Sequence, residues 1–275
     1  MSQLERIGRY RVLKWLGSGG FATVWLAEDE NLDARVAIKV LADNWINSLD
    51  VRDRFVEEAR ILRRADSDRV VRVFDIGELD DGRPYFVMAY ADRGTLADRL
   101  AGGPLPIPEA LRIANEVARA LAVLHGIGVI HRDITPSNVL FQSGHSGEER
   151  VLLADLGLAK AAAHSSGISL SAGTPGYMAP EQAVPGGGID LRADVYGLGA
   201  LTYHLLTGTT HDRAADVPPS SLRPTVSVDV DAVVLRALER NPDRRWPDAE
   251  SFAAELKAAD VGSTSDYARS PVCPK

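Results

Sequence analysis

The chain has 275 residues, 45% of them hydrophobic and 25% charged, which is the usage of a folded protein with one large domain or two lobes. Lys and Arg number 31 against 38 Asp and Glu, and the net charge of −7 gives no bulk electrostatic reason to bind nucleic acid or anionic lipid. The single cysteine, Cys273, excludes an internal disulfide, and the six histidines stand alone, outside any zinc-ligand spacing.

The apolar stretches predict a soluble cytoplasmic protein with no membrane span. The segment Met1–Trp15 contains no apolar run of the kind found in a secretion signal. The most apolar long stretch, Val195–Leu206, is shorter than the roughly 20 residues that cross a bilayer.

The first part of the chain, from residue 9 to residue 90, is predicted to be rich in strands. Runs of β-branched and aromatic residues bounded by Gly, Asp and Asn are typical of strands. They lie at Tyr10–Leu16, Ala22–Ala27, Arg35–Leu41, Val70–Ile76 and Tyr85–Tyr90. Phe55, Ala59 and Leu62 recur at helical spacing between the third and fourth strands, so the predicted order is β-β-β-α-β-β.

After about residue 94 the periodicity becomes helical. The predicted helices are Ala110–Leu124, which follows Pro108, then Leu191–Leu206, Val230–Arg240 and Pro247–Ala259. Three prolines within Gly208–Ser227 predict an irregular loop, and Gly262–Lys275 is predicted to be a loose tail. The fold class is therefore α+β, with a small β-rich lobe followed by a larger, mainly helical lobe.

The first candidate for chemistry is the glycine-rich segment from Leu16 to Val24, which connects two predicted strands. Glycines allow backbone amides to approach phosphates closely, although a lone Gly-x-Gly is more often a simple turn. Its place between strands argues against a dinucleotide-binding fold, whose glycines open a helix. No Gly-Lys-Ser/Thr follows, as a Walker A loop would require.

The second candidate is a lysine on the third predicted strand, in Val36-Ala37-Ile38-Lys39. Ala37 and Lys39 share one face of the pleat, where a small residue and a cation suit an adenine ring and its phosphates. The alternative is a solvated edge lysine. Glu58 on the following helix could hold Lys39, but the adjacent Glu57 leaves open a helix face that is simply solvated.

The strongest pattern combines His131-Arg132-Asp133-Ile134-Thr135-Pro136-Ser137-Asn138 with Asp155-Leu156-Gly157. Two carboxylates and an amide near turns offer hard oxygen ligands for Mg²⁺ and one general base. With these motifs the chain resembles a protein kinase, and specifically the bacterial eukaryotic-like serine/threonine kinases, whose motif set is well established.

Three later segments carry the same resemblance. Gly173–Glu181 resembles the end of an activation segment, Asp194–Gly199 a buried helix that anchors the catalytic loop, and Asn241–Arg245 a segment whose arginine pairs with Glu181. The resemblance covers roughly residues 8–259. It implies a bilobal protein-kinase-like fold with an antiparallel N-lobe at 8–90, a C-lobe at 91–260 and a flexible tail at 261–275.

The resemblance also implies ATP and Mg²⁺ as cofactors and a role for each matching residue. Asp133 would orient and deprotonate the acceptor hydroxyl, and Lys39, paired with Glu58, would contact the α/β-phosphates. Asn138 and Asp155 would hold Mg²⁺. The residues expected to cover the phosphates are Gly17, Ser18, Gly19, Gly20, Phe21, Ala22, Thr23 and Val24. Those expected around adenine are Leu16, Val24, Ala37 and Leu140 on its faces, Met88 behind it, and the backbone of Ala89–Ala91 as the hinge.

Three departures from the family pattern stand out. Ala22 replaces a glycine, with little expected effect. Thr135 replaces the lysine that steadies the transferring phosphate, which predicts an active but slow enzyme with a rate penalty of about 10²–10³. Gly208–Ser227 is short for the helix that family members usually place there, so we expect substrate docking to differ from that of relatives.

Regulation by phosphorylation is one interpretation of the activation segment. Arg132 and Lys160 could meet a phosphate there, and the available acceptors are Ser165, Ser166, Ser169 and Ser171. The alternative is that serines are simply common in flexible loops. The resemblance also allows autophosphorylation in a homodimer.

The leading hypothesis is an ATP-dependent serine/threonine protein kinase, a signalling transferase whose protein substrates the sequence does not name. The alternative is a pseudokinase acting as a nucleotide-binding regulatory scaffold, which Thr135 favours and which the intact Lys39, Asp133 and Asp155 disfavour. A small-molecule phosphotransferase is disfavoured because the Gly173–Glu181 motif forms a platform for peptides in the family.

Overall fold

The structure is a computed structural model that describes residues 5–144, 146–158, 176–184, 188–213 and 215–267, with side chains in the last helix up to residue 260. The described residues form two compact units. The first is built from 5–94 and 140–158, and the second from 95–139 and 176–267.

The first unit is organised around a six-stranded antiparallel sheet with the strand order β1-β2-β3-β4-β6-β5. The strands are β1 (Arg6–Ile7), β2 (Tyr10–Ser18), β3 (Ala22–Asp29), β4 (Ala34–Leu41), β5 (Val73–Glu78) and β6 (Pro84–Ala89). One helix, α1 (Leu49–Ala65), buries Phe55, Ala59 and Leu62, the residues whose spacing predicts it. The Phe55 ring lies 5.1 Å from the Phe86 ring of β6, so the helix packs on the sheet.

A hairpin completes the first unit, and the sequence patterns did not predict it. It consists of β7 (Val139–Ser143) and β8 (Glu149–Leu153). Leu153 joins the residues before β5 because its N–H donates to the Arg69 carbonyl at 2.8 Å and its carbonyl accepts from the Val71 N–H at 2.9 Å.

The second unit is helical. Its helices are α2 (Leu96–Leu100), α3 (Ile107–Gly126), α4 (Arg192–Thr207), α5 (Pro219–Leu222), α6 (Val228–Ala237) and α7 (Ala249–Tyr267). Helix α4 is buried on nearly all sides, as expected for a helix that is apolar all round. Gly199 on α4 allows close packing, because a Cβ there would lie 2.7 Å from the Ala237 Cβ.

Two predictions about irregular segments are wrong in part. The segment Gly208–Ser227 contains the four-residue helix α5, which Pro219 can open because its missing N–H is not needed at that position. The last helix does not end at Ala259 but continues to Tyr267, so Gly262 lies within it rather than at the start of a tail. A single glycine costs a helix only about 1 kcal/mol. Within the described residues, no helix is both long and apolar enough to cross a membrane.

Candidate active site

Lys39 is bound by two carboxylates in the first unit. Its Nζ donates to Glu58 Oε1 at 2.7 Å and to Asp155 Oδ1 at 2.9 Å. Lys39 and Glu58 are 7% and 1% exposed, so the pair is removed from water. Glu57, the alternative left open by the sequence, is half-buried and pairs with Arg60 on the same helix at 3.5 Å. Lys39 is therefore a buried, paired cation and not a solvated edge residue.

Charge neutralisation keeps Lys39 protonated. Burial alone would lower its pKa, but the negative charges of Asp155 and Glu58 outweigh this effect and raise the pKa above its ordinary value of 10.5. The rings of Phe55 and Phe86 lie 5.9 and 5.5 Å from Nζ and add favourable cation–π contacts. Asp155 has a left-handed backbone with φ 60°, a costly conformation that is common at functional sites.

The glycine-rich segment forms the turn between β2 and β3. Gly17 pairs with Val24, Ser18 pairs with Thr23, and the Gly19 N–H donates to the Ala22 carbonyl at 2.8 Å. The sheet register is irregular between Trp15 and Gly17, where Leu16 lies. A Cβ added to Gly17, Gly19 or Gly20 would meet nothing within 4 Å. Packing therefore does not require glycine here, and the open backbone is suited to a phosphate ligand.

The residues expected around adenine all belong to the first unit. Ala37 is buried and pairs in register with the buried Met88, while Leu16 is exposed and Val24, Ala89, Ala91 and Leu140 are half-buried. The hinge backbone is partly committed already. The Ala89 N–H donates to the Arg72 carbonyl, and the Tyr90 carbonyl accepts from Gln142, both at 2.9 Å.

Asp133 and Asn138 are joined within the second unit. The Asn138 amide nitrogen donates to the Asp133 backbone carbonyl and to its Oδ2, each at 2.8 Å. Asp133 and Asn138 are each 7% exposed. Because the amide nitrogen is used in this way, Oδ1 is the Asn138 atom suited to a cation. Thr135 lies between them, is 5% exposed, and brings a hydroxyl but no charge.

Asp194 at the start of α4 holds the backbone ahead of Asp133. Its carboxylate accepts from the N–H groups of His131 and Arg132, each at 2.7 Å, and lies 2.9 Å from His125 Nε2. Arg132 has φ 69°, so these bonds stabilise a conformation that a non-glycine residue rarely adopts. His125, near the end of α3, was not singled out by the sequence patterns. Its contact with Asp194 crosses 69 positions, and no local spacing marks it.

A second ion pair anchors the end of the expected activation segment. Arg245 Nη1 and Nη2 donate to the two Glu181 oxygens at 2.6 and 2.8 Å. Arg213 was also missed from the sequence, and it donates to the Met178 carbonyl and, at 2.9 Å, to the Tyr196 hydroxyl. The predicted roles of Lys160, Ser165, Ser166, Ser169 and Ser171 fall on residues outside those described.

Gly176 and Tyr177 at the end of this segment lie against Thr210 and His204. Gly176 has φ 93°, and a Cβ there would lie 2.9 Å from the Thr210 Cβ, so glycine is required. The Tyr177 hydroxyl bonds His204 Nδ1. Burial raises the pKa of Tyr177 to about 12 and lowers that of His204, so both are neutral near pH 7.

Each unit contains one of the two predicted magnesium ligands. The described residues contain no group of three or more His, Cys, Asp or Glu side chains able to hold a metal. Mg²⁺ commonly uses only one or two protein oxygens together with phosphate and water. In the first unit, the Asp155 side chain is 37% exposed and has carboxylate oxygens of this kind. In the second unit, Asn138 has an amide oxygen of this kind.

These features are typical of a phosphoryl-transfer protein, and comparison with known proteins identifies the family. The sequence matches the protein kinase domain over residues 10–257. The chain belongs to the protein kinase family, as its motifs predict, and the predicted fold class is confirmed. Members of this family use ATP and typically Mg²⁺.

Its relatives are bacterial. The chain is 38% identical over 272 residues to the serine/threonine-protein kinase pkn2 of Myxococcus xanthus. The aligned region covers 92% of this chain and 32% of that protein. It is 37% identical to the serine/threonine-protein kinase PknB of Mycobacterium leprae, over 90% of this chain and 42% of that protein. The crystal structure of the Mycobacterium tuberculosis PknI kinase domain aligns with a TM-score of 0.74 at 31% identity, over 92% of this chain and 97% of that chain. The chain spans less than half the length of the curated relatives it matches.

Proposed function

We propose that the chain is a serine/threonine protein kinase that transfers the γ-phosphate of ATP to hydroxyls of proteins. The observation that carries the proposal is Lys39, buried and held between Glu58 and Asp155 at 2.7 and 2.9 Å. A buried cation with a raised pKa is a fixed positive charge, and phosphoryl transfer depends mainly on positioning and charge neutralisation.

Each unit contributes its own part. In the first unit, Lys39 binds phosphate oxygens and the open backbone of Gly17–Gly20 lies against them. Ala37 and Met88 border the base. In the second unit, Asp133 orients the acceptor hydroxyl and takes its proton. The bond from Asn138 to Asp133 Oδ2 fixes the rotamer of that carboxylate.

The proposal assigns one magnesium ligand to each unit, Asp155 and Asn138. Bound Mg²⁺ would neutralise phosphate charge. Asp155 also binds Lys39, so the lysine keeps this carboxylate oriented, and Asn138 is kept oriented by Asp133.

The rate is expected to be low because of Thr135. A threonine hydroxyl at this buried position gives one hydrogen bond and no charge, where relatives usually have lysine. The pseudokinase alternative is not supported over an active enzyme, since Lys39, Asp133, Asn138 and Asp155 are all present. We also propose a cytoplasmic location, which the need for ATP supports. Autophosphorylation in a homodimer is a further part of the proposal.

A transfer assay tests the proposed function. Purified protein is incubated with Mg²⁺, radiolabelled ATP and a generic protein substrate, and the product is hydrolysed for phosphoamino-acid analysis. We expect phosphoserine and phosphothreonine from the wild type and none from Asp133→Asn, which should still bind ATP. Equal turnover by the two proteins, or phosphotyrosine alone, would contradict the proposal.

A further inference from the structure

A tryptophan outside the predicted site contacts the tip of the glycine-rich segment. Trp45 ends the short 3-10 helix Asp43–Trp45, which follows β4, and is 5% exposed. Its indole N–H donates to the Gly20 carbonyl at 2.8 Å, and its ring stacks on Phe21 with centroids 4.9 Å apart and planes inclined by 17°. The Ala42 N–H also donates to the Phe21 carbonyl at 2.9 Å. The tip is thus bound at three points by one short stretch of chain.

The indole bond determines which way one peptide plane faces. No peptide bond among the described residues is cis. In a trans peptide the carbonyl and the N–H point in opposite directions, so holding the Gly20 carbonyl toward Trp45 holds the Phe21 N–H facing away from the indole. An amide N–H attracts phosphate oxygens, whereas a carbonyl oxygen turned toward them would repel them.

The segment needs such an external contact because its own sequence does not fix this plane. Gly19 and Gly20 are adjacent, and a Cβ on either would meet nothing within 4 Å. Two successive glycines without neighbouring side chains have wide rotational freedom, and losing it on ligand binding costs conformational entropy. A buried indole bonded to the next carbonyl removes part of that freedom before the ligand binds.

We propose that Trp45 is a positioning residue that holds the Gly20–Phe21 peptide in the orientation that binds the phosphates of a nucleoside triphosphate. This inference rests on the proposed function, which supplies the ligand. It gives Trp45 no contact with the base. The affinity for ATP therefore depends on Trp45, and the affinity for adenosine does not.

Calorimetric titration of variants with ATP and with adenosine tests this role. Trp45→Phe keeps an aromatic ring against Phe21 but removes the indole N–H. We expect the Kd for ATP to rise about fivefold while the Kd for adenosine stays unchanged. Trp45→Ala also loses the stacked pair and should weaken ATP binding by more than about tenfold. In turnover assays, KM for ATP should rise by the same factors while kcat changes less.

Trp246→Phe is the matched control. The Trp246 indole N–H donates to the Val233 carbonyl at 3.0 Å in the second unit, so the substitution removes the same kind of bond away from the glycine-rich segment. It should leave the ratio of ATP to adenosine affinity unchanged. If Trp45→Phe weakens ATP and adenosine equally, or changes neither, the role of Trp45 is wrong while the proposed function stands. A wild-type protein that does not bind ATP would overturn both.

Discussion

Lys39 owes its charge to its partners, and its contribution to stability has a defined pH range. Its pKa in the folded protein lies above the ordinary value of 10.5, because the carboxylates outweigh burial. A raised pKa means that the stabilising contribution is fully present below the unfolded pKa and is lost only as pH rises through the folded pKa. The ion pair is therefore constant across the physiological range.

Glu58→Gln tests the importance of this pair. The substitution leaves a buried ammonium with one fewer anion, so we expect a loss of about 1–3 kcal/mol in the free energy of unfolding and a lower kcat/KM. Denaturant titration should show the same loss from about pH 6 to 9, since Lys39 does not titrate there. The neighbouring Glu57→Gln, at a half-buried position whose partner Arg60 is exposed, should change neither quantity by a comparable amount. Equal effects of the two substitutions would refute the assignment.

Thr135→Lys tests the expected rate penalty. If the missing cation slows phosphoryl transfer, the lysine should raise kcat by up to about 10²-fold, with little change in KM for ATP. Thr135→Ala removes only the hydroxyl and should stay within a few-fold of the wild type. A Thr135→Lys protein that is folded, by circular dichroism, and no faster would show that other groups already neutralise this charge.

At the residue scale, the sequence predicts candidate site residues but not the contacts that support them. Lys39 and Asp133 lie in short local motifs, so one-dimensional spacing marks them as candidates. The choice between Glu57 and Glu58 could not be made from spacing alone, because only the burial of one helix face decides it. His125 and Trp45 were missed since each contacts the site across a long sequence separation.

Among the elements, α4 connects the core of the second unit to the loop that contains His131, Arg132 and Asp133. Apolar residues bury almost all of its surface, and its first turn presents Asp194 to the backbone of His131 and Arg132. A rigid helix thus holds a strained loop in place, which is how a site built on loops keeps its geometry.

Asp194→Asn should uncouple the loop from the helix. An amide cannot accept from all three donors, so we expect a loss of about 3 kcal/mol in stability and about 10–100-fold lower kcat in the fraction that remains folded. Asp231→Asn is the control, because Asp231 is also buried and accepts from the backbone N–H and hydroxyl of Ser220. That variant should lose stability but keep its kcat. A normal kcat in folded Asp194→Asn would rule out the positioning role.

Strands and helices with a clear hydrophobic periodicity were predicted well, whereas elements of only a few residues were not. The strand and helix patterns of the first unit predicted β2 to β6 and α1 in the right order, with shifted ends, but not the two-residue strand β1. The hairpin β7–β8 escaped prediction because Val139–Ser143 directly follows the catalytic motif and has too few residues to show an alternation. Helix α5 was missed for the same reason, since four residues show no helical period.

For the molecule as a whole, ligand binding should stabilise the fold through mass action. Mg²⁺ with ATP at about 100 times Kd should add about 2.7 kcal/mol, which raises Tm by about 5–10 °C. Chelation of Mg²⁺ should remove most of this shift but leave the smaller shift caused by adenosine.

Asp155→Asn separates the contribution of Mg²⁺ to this shift in Tm from the contribution of the nucleotide. It should make the ATP shift in Tm insensitive to Mg²⁺, because an amide is a weaker ligand than a carboxylate. Thermal denaturation followed by circular dichroism would measure it. A shift that still depends on Mg²⁺ in this variant would place the metal elsewhere.

The pairing of Leu153 with the strand region before β5 also constrains how the protein is made. The first unit is discontinuous in sequence, and its Arg69 and Val71 backbone groups find their partner only in β8. During translation the first unit can be completed only after Leu153 has emerged from the ribosome, when all of α3 has already been synthesised. A fragment that stops at Gly94 would lack these bonds, so the first unit cannot be isolated by simple truncation. In the nascent chain, folding of the first unit must wait until residues of the second unit have already been synthesised.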